Sequence, residues 1–342
     1  MIKVTSLIAA LLLATGLEAA EENYVFKSGH PSLKEFVLGN IVHPDNNKPN
    51  KDRIDLGAAL FFDARLSGNG KMSCASCHNP GLGWSDGLPT ARGVNSLVLP
   101  RATPTILNTG HNFIQMWDGR KKTLEDQVMG PMRSDKEMNI DISKLFGWLN
   151  ANEGYKAKFA KAYPGEPINE STLSKAVATF ERTVVSNNSP FDKWVKGEAK
   201  ALTTQQVDGF KIFMGKANCV ACHSEANFTD NGFHNIGLAS FGKANADMGR
   251  YAIRPVNAMK GAFKTPTIRE ITKTAPYFHD GSAKTLMEVV EHYDRGGDVK
   301  TNLSPNMKPL NLTLPEKEAL VVFMESLTSP HIAFSQPKLP DK

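Results

Sequence analysis

Apolar residues in this chain recur at helical spacing far more often than they alternate. Leu173, Ala176, Val177, Phe180 and Val184 form one apolar face. A capping pattern, Thr203-Thr204-Gln205-Gln206, opens a helix on which Val207, Phe210 and Met214 recur. Pro315 starts a last helix with Leu320, Phe323, Met324 and Leu327 turned inward. Thr285-Leu286-Met287-Glu288 reads as a capping box for a helix that ends at Gly296-Gly297. On it Leu286, Val289, Val290 and Tyr293 share one stripe, which points Tyr293 to the core. The same spacing leaves His292 with Glu288, Glu291 and Arg295 on the polar side. An earlier helix opens at Thr123, with Leu124 and Val128 inward and the amide of Gln127 where the later helix has Val289. Strand-like alternation is scarce and long Gly/Pro/Asn loops fill the gaps, so the pattern predicts a mostly α protein.

At the start of the chain, Lys3 precedes the apolar run from Leu7 to Ala14 and the small residues Ala19-Ala20. This reads as a secretory leader over residues 1–20, too short to span a bilayer, and it implies export to the periplasm. No later stretch is long and apolar enough for a membrane span. The chain has 342 residues, a length that suggests two domains, and a net charge of +5 spread along it. That charge supports no nucleic-acid role and at most a mild bias toward an acidic partner.

An internal duplication organises the rest. The first half runs Cys74-Ala75-Ser76-Cys77-His78, then Trp84-Ser85-Asp86-Gly87, Thr103-Pro104-Thr105-Ile106 and Trp117-Asp118-Gly119-Arg120, with Thr123-Leu124 after it. The second runs Cys219-Val220-Ala221-Cys222-His223, then Phe228-Thr229-Asp230, Thr265-Pro266-Thr267-Ile268 and His279-Asp280-Gly281-Ser282, with Thr285-Leu286 after it. The same blocks in the same order predict two related domains, residues 21–188 and 189–342, with the last helix packing back on the first domain.

Each Cys-x-x-Cys-His is the attachment pattern of a c-type haem. Two cysteines one helical turn apart can form thioethers to the two vinyl groups of one porphyrin, and the next histidine supplies an axial nitrogen to iron. The chain's four cysteines all lie in these motifs, so none is left for a disulfide. A thioredoxin-like pair does not require the adjacent histidine, and a zinc site would leave both histidines unexplained. Two covalent haems are therefore expected, on Cys74, Cys77 and His78 and on Cys219, Cys222 and His223.

Function then turns on the other face of each iron, because a blocked face transfers electrons and an open one binds a small ligand. In the second half Tyr293, Met307, His234 and His279 are candidates for that face. Counting along the matching helix of the first half, the position of Tyr293 is taken by Pro131, which cannot bind iron. The duplication thus predicts one covered iron and one open iron, with Gln127 near the open one and Glu137 following in the next loop.

At these residues the chain resembles the bacterial di-haem cytochrome c peroxidases and their MauG-type relatives, from about Leu56 to Leu320. Further motifs that carry the resemblance are Thr274-Ala275-Pro276-Tyr277-Phe278-His279 and Asp294-Arg295-Gly296-Gly297. The resemblance implies two cytochrome c-like haem domains, hydrogen peroxide as oxidant and a partner protein as electron source. It implies that Trp117 conducts between the haems, and that Gln127 and Glu137 line the peroxide pocket, Glu137 as the acid–base group. Val94 stands where peroxidases needing reductive activation have a blocking histidine, and Tyr293 stands where the usual peroxidases have methionine. That combination resembles the MauG type, in which a tyrosine-ligated second haem helps to oxidise tryptophans of a partner, as in maturation of methylamine dehydrogenase. The alternative is a peroxidase that takes electrons from a small cytochrome c or cupredoxin, and a third is a non-catalytic electron-transfer cytochrome. The family's calcium uses an asparagine side chain plus backbone carbonyls at the positions of Thr274 and Pro276. Ala102 replaces the asparagine here, which leaves calcium open.

Overall fold

A computed structural model describes residues 24–330 and 334–341. The expected leader lies outside the described residues. Among the described residues ten α-helices follow one another: α1 (Lys51–Phe62), α2 (Cys74–Cys77), α3 (Leu124–Arg133), α4 (Ile142–Ala151), α5 (Glu153–Ala162), α6 (Glu170–Glu181), α7 (Pro190–Val195), α8 (Thr204–Met214), α9 (Leu286–Asp294) and α10 (Leu314–Glu325). The only strands among the described residues are β1 (Phe233–His234) and β2 (Phe263–Lys264), an antiparallel pair. The protein is mostly helical, and no described helix is long and apolar enough to cross a membrane.

Local chemistry sets the helix starts. Thr203 and Gln206 form the expected reciprocal box at the head of α8. Thr285 caps α9 by accepting from the Glu288 N–H, while the Glu288 carboxylate accepts from the N–H of Lys284 instead of closing the box. Asn50, Thr123 and Asn169 cap α1, α3 and α6 in the same way.

Packing repeats the duplication. In the first half α1 crosses α6 at Gly57, where an added Cβ would overlap the backbone of Ala176. In the second half α8 crosses α10 at Gly209, where it would overlap the backbone of Ala319. One turn after each glycine an aromatic ring meets the partner helix: Phe61 lies 5.2 Å from Phe180, and Phe213 lies 5.1 Å from Phe323. Trp84 and Phe228 complete the triads, each with its ring centre 6.0 Å from that of Phe61 or Phe213. Two hydrophobic clusters result, one from Leu56 to Val184 and one centred on Phe191, Phe210, Phe228 and Phe323.

The ends of the chain cross between these clusters, and here the expected division differs from the packing. Leu33 and Phe36, placed with the first half from sequence, are buried in the second cluster, where Phe36 meets Phe210 edge-on at 5.3 Å. The last helix does not pack back on the first half. Leu320, Phe323, Met324 and Leu327 are all buried in the second cluster, so the buried apolar face of α10 is turned to the second half. The extended tail makes the return instead: Phe334 stacks on Phe62 at 5.2 Å, and Arg65 donates to the Pro340 carbonyl at 2.9 Å.

Candidate functional site

The two attachment motifs are held alike. A capping arrangement between Ser73 and Ser76 starts α2, and the His78 N–H donates to the Cys74 carbonyl at 2.8 Å. Cys219–Ala221 is a short 3-10 turn, and the His223 N–H donates to the Cys219 carbonyl at 2.9 Å. Trp84 and Phe228 both adopt left-handed backbone (φ 58° and 50°), which turns their carbonyls back toward the histidines. The Nδ1 atoms of His78 and His223 lie 3.2 Å and 3.0 Å from those carbonyls. A carbonyl only accepts, so Nδ1 carries the proton and Nε2 keeps its lone pair for a metal. Burial lowers both imidazole pKa values and keeps the rings neutral, as a ligand must be.

The cysteines fit haem better than a structural metal. Burial pushes Cys74 and Cys219 up to about 12 and Cys77 to about 11, so each is held as a neutral thiol. A thiol in an apolar pocket suits addition of S–H across a vinyl group. Among the described residues one set of three possible metal donors converges, Cys222, Asp230 and His234, within 4.8 Å. It spends an attachment cysteine, and His234 is already paired with Asp230 at 2.8 Å.

Beside the second motif lies a cavity of about 520 Å³, lined mainly by apolar groups and by Cys219, Cys222, His223, Trp117 and Tyr293. Such a space suits a flat, largely apolar cofactor. Tyr293 reaches it from α9, and no described residue hydrogen-bonds its hydroxyl; burial raises its pKa further above the ordinary phenol value. Met307, His234 and His279 line the same cavity. The two ring nitrogens of His234 are engaged by Asp230 and by Ser304, the latter at 3.2 Å. His279 stacks on Phe263 at 3.6 Å, and burial lowers its pKa to about 4. His292 is not on a polar face: it is 2% exposed, with Nε2 2.9 Å from the Ile236 carbonyl. The loop through Ile236 and Gly237 covers that side of α9, which helical spacing alone does not reveal.

In the first half, Pro131 lies inside α3 at the position matching Tyr293 in α9. Gln127 is half-buried on α3, its amide nitrogen 3.7 Å from the Met116 sulfur. Glu137 is half-buried too, and no described residue hydrogen-bonds its carboxylate. Burial raises its pKa, opposed by the positive charge of Arg120, and its own charge acts on Cys77. Val94 is tied to the same loop through its N–H, which donates to the Glu137 carbonyl at 2.9 Å. Gly93 is required at that contact, because a Cβ would overlap the Lys136 carbonyl.

Trp117 sits in the wall between the halves. Its indole N–H donates to the Ala102 carbonyl at 2.9 Å, and its own carbonyl accepts from the Lys264 N–H at 2.8 Å. Around it, Arg101 bridges Asp118 (2.7 Å) and Asp247 (2.6 Å), and Arg250 donates to the carbonyls of Asp118 and Gly119. Asp247, Arg250 and Lys264 escaped sequence reasoning; only the position of Lys264, just before the repeated Thr-Pro-Thr-Ile block, hinted at a role. Thr274 and Pro276 line the same cavity, but Ala102 offers no side-chain oxygen and its carbonyl already serves Trp117. Calcium takes roughly six to eight oxygens, and Ala102 leaves one side-chain oxygen fewer for such a site.

Known proteins fit this geometry. A family model described as di-haem cytochrome c peroxidase matches residues 51–200. Over 303 residues, 88% of this chain and 85% of the relative, the sequence is 43% identical to the methylamine utilization protein MauG of Methylorubrum extorquens. It is 40% identical over 324 residues, 93% of this chain and 95% of the relative, to MauG of Methylophilus methylotrophus. The crystal structure of a MauG-like protein associated with microbial copper homeostasis matches with a TM-score of 0.81 at 30% identity, covering 86% of this chain and 94% of that one. The chain belongs to the di-haem cytochrome c peroxidase and MauG family, haem-dependent oxidoreductases that carry two c-type haems.

Proposed function

We propose that this protein is an exported MauG-type oxidase, which reduces hydrogen peroxide at its first haem site and draws the electrons from a partner protein through its second. The observation that carries this is the pairing of Pro131 with Tyr293 at equal positions of two duplicated helices, α3 and α9. When bound, the haems supply the redox chemistry with peroxide and with the partner. Pro131 and Val94 are side chains that could not bind the iron of a first haem, at the two positions where a blocking ligand would stand. Glu137 moves a proton from the inner to the outer oxygen of peroxide, and its raised pKa suits a group that both accepts and returns that proton. Gln127 orients the peroxide with its amide. Peroxide gains two electrons and two protons and leaves as two waters, while side chains of the partner lose two electrons and two protons. Trp117, fixed at both its indole N–H and its carbonyl, carries electrons between the sites. In the second site no described residue hydrogen-bonds the phenol of Tyr293, so its oxygen would be available to hold the iron of a second haem. An anionic oxygen ligand favours oxidised iron, which suits oxidation of a protein more than turnover with an ordinary cytochrome.

The test begins with the ferric protein, whose magnetic-resonance spectrum is expected to contain one high-spin and one low-spin haem. Peroxide is then added with reduced cytochrome c present. A long-lived oxidised form that ignores the cytochrome supports the assignment. Rapid turnover without prior reduction makes the protein a peroxidase, and two low-spin signals reject the open first site.

A further inference from the structure

Lys264 is 8% exposed, on β2, and it lines the cavity beside the second attachment motif. Its ammonium has three protons to donate, yet one hydrogen bond is formed, to the carbonyl of the next residue, Thr265, at 2.8 Å. No carboxylate pairs with it among the described residues. Asp230, whose charge reaches it, is already bonded to His234 at 2.8 Å and to the Gly232 N–H at 2.7 Å. Other shielded lysines are paired: Lys317 with Glu291 and Asp294, and Lys175 with Glu166. A buried ammonium without an anion is costly, and such groups are retained where a partner neutralises them. Burial lowers its pKa to about 8, with the charge of Asp230 opposing the shift.

The missing anion belongs to the cavity's own tenant. A c-type haem bound through Cys219 and Cys222 brings two propionate carboxylates into a space otherwise lined mainly by apolar groups. The remaining lysines of the lining, Lys243 and Lys308, are exposed. Arg101 is spent on Asp118 and Asp247. In the duplicated first half the position of Lys264 is held by Ala102, so this charge is particular to the second site. We propose that Lys264 is the counter-ion of a propionate of the second haem. Because the Lys264 N–H also donates to the Trp117 carbonyl, one residue then joins that carboxylate to the tryptophan in the wall between the sites.

The test uses the haem-loaded protein and a spectroelectrochemical titration that resolves the two haems. Lys264→Met leaves a bare carboxylate beside the iron, which stabilises the ferric form, so the midpoint potential of the second haem shifts downward. Lys264→Arg keeps the charge and restores most of that shift, while the first haem stays unmoved in both variants. Unchanged potentials, an equal shift of both haems, or an arginine variant displaced as far as the methionine one would overturn the proposal. Should Lys264→Met fail to take up haem, the wild-type holoprotein decides by crystallography: Lys264 Nζ within about 4 Å of a propionate oxygen supports the ion pair, and a larger separation ends it.

Discussion

Gly209 and Ala319 bring α8 and α10 into backbone contact, with the Phe323 Cβ only 2.8 Å from the point where a Cβ on Gly209 would stand. Gly57 meets Ala176 and Phe180 with the same geometry in the other half. Alanine at either glycine gains about 1 kcal/mol of helix propensity and forces apart two backbones, an overpacking cost of about 1–3 kcal/mol. Since backbone cannot step aside as a side chain can, Gly209→Ala and Gly57→Ala are expected to lower stability in urea unfolding. A variant more stable than wild type would show that the helices part freely.

Tyr293→Phe removes the phenol oxygen and little else. The low-spin ferric signal of the second haem is expected to change, with the first haem's high-spin signal intact. An unaltered spectrum assigns the ligand role to another side chain of the cavity, with Met307 next in line.

Glu137→Gln keeps size and removes the acid–base group. The rate of reaction with peroxide, followed by stopped-flow absorbance, is expected to fall about a hundredfold or more. Wild-type rates would reduce Glu137 to a spacer between Val94 and Met138.

Acid should loosen α3 from α6 through Glu125. Burial pushes its carboxyl up, but hydrogen bonds from Arg182 (2.6 Å) and Asn47 (2.8 Å) outweigh that and hold it below the usual carboxylate value. A lowered folded pKa means the pair stabilises the protein above about pH 4.5, and that stability is lost as pH falls through the folded value. Glu125→Gln is therefore expected to cost about 1–3 kcal/mol at pH 7, discounted for partial solvent screening, and less at pH 3. Thermal melts at the two pH values check it.

Phe334 packs against Phe62 and meets Trp84 edge-on at 5.0 Å, so it closes the return of the tail onto the first cluster. Phe334→Ala is expected to cost about 1–2 kcal/mol, since the ring is partly exposed. Cleavage by trypsin after Lys338 should quicken; an unchanged rate would mean that the Arg65 bond to Pro340 holds the tail unaided.

What the sequence determined by itself is what depends on near neighbours along the chain. The attachment motifs, the threonine caps at 203 and 285, the buried face of α6 and the repeated order of blocks all rest on contacts within a turn or two. These made the mostly helical fold, the duplicated plan and the family legible. Tertiary structure alone decided which loop covers which helix. It buried His292 under Ile236, sent the tail rather than α10 back to the first cluster, and drew Leu33 and Phe36 into the second. It also brought Asp247, Arg250 and Lys264 to the loop of Trp117 across more than a hundred residues of chain. Those contacts carry no spacing signal, because the groups that satisfy one another are neighbours only after the two halves have met.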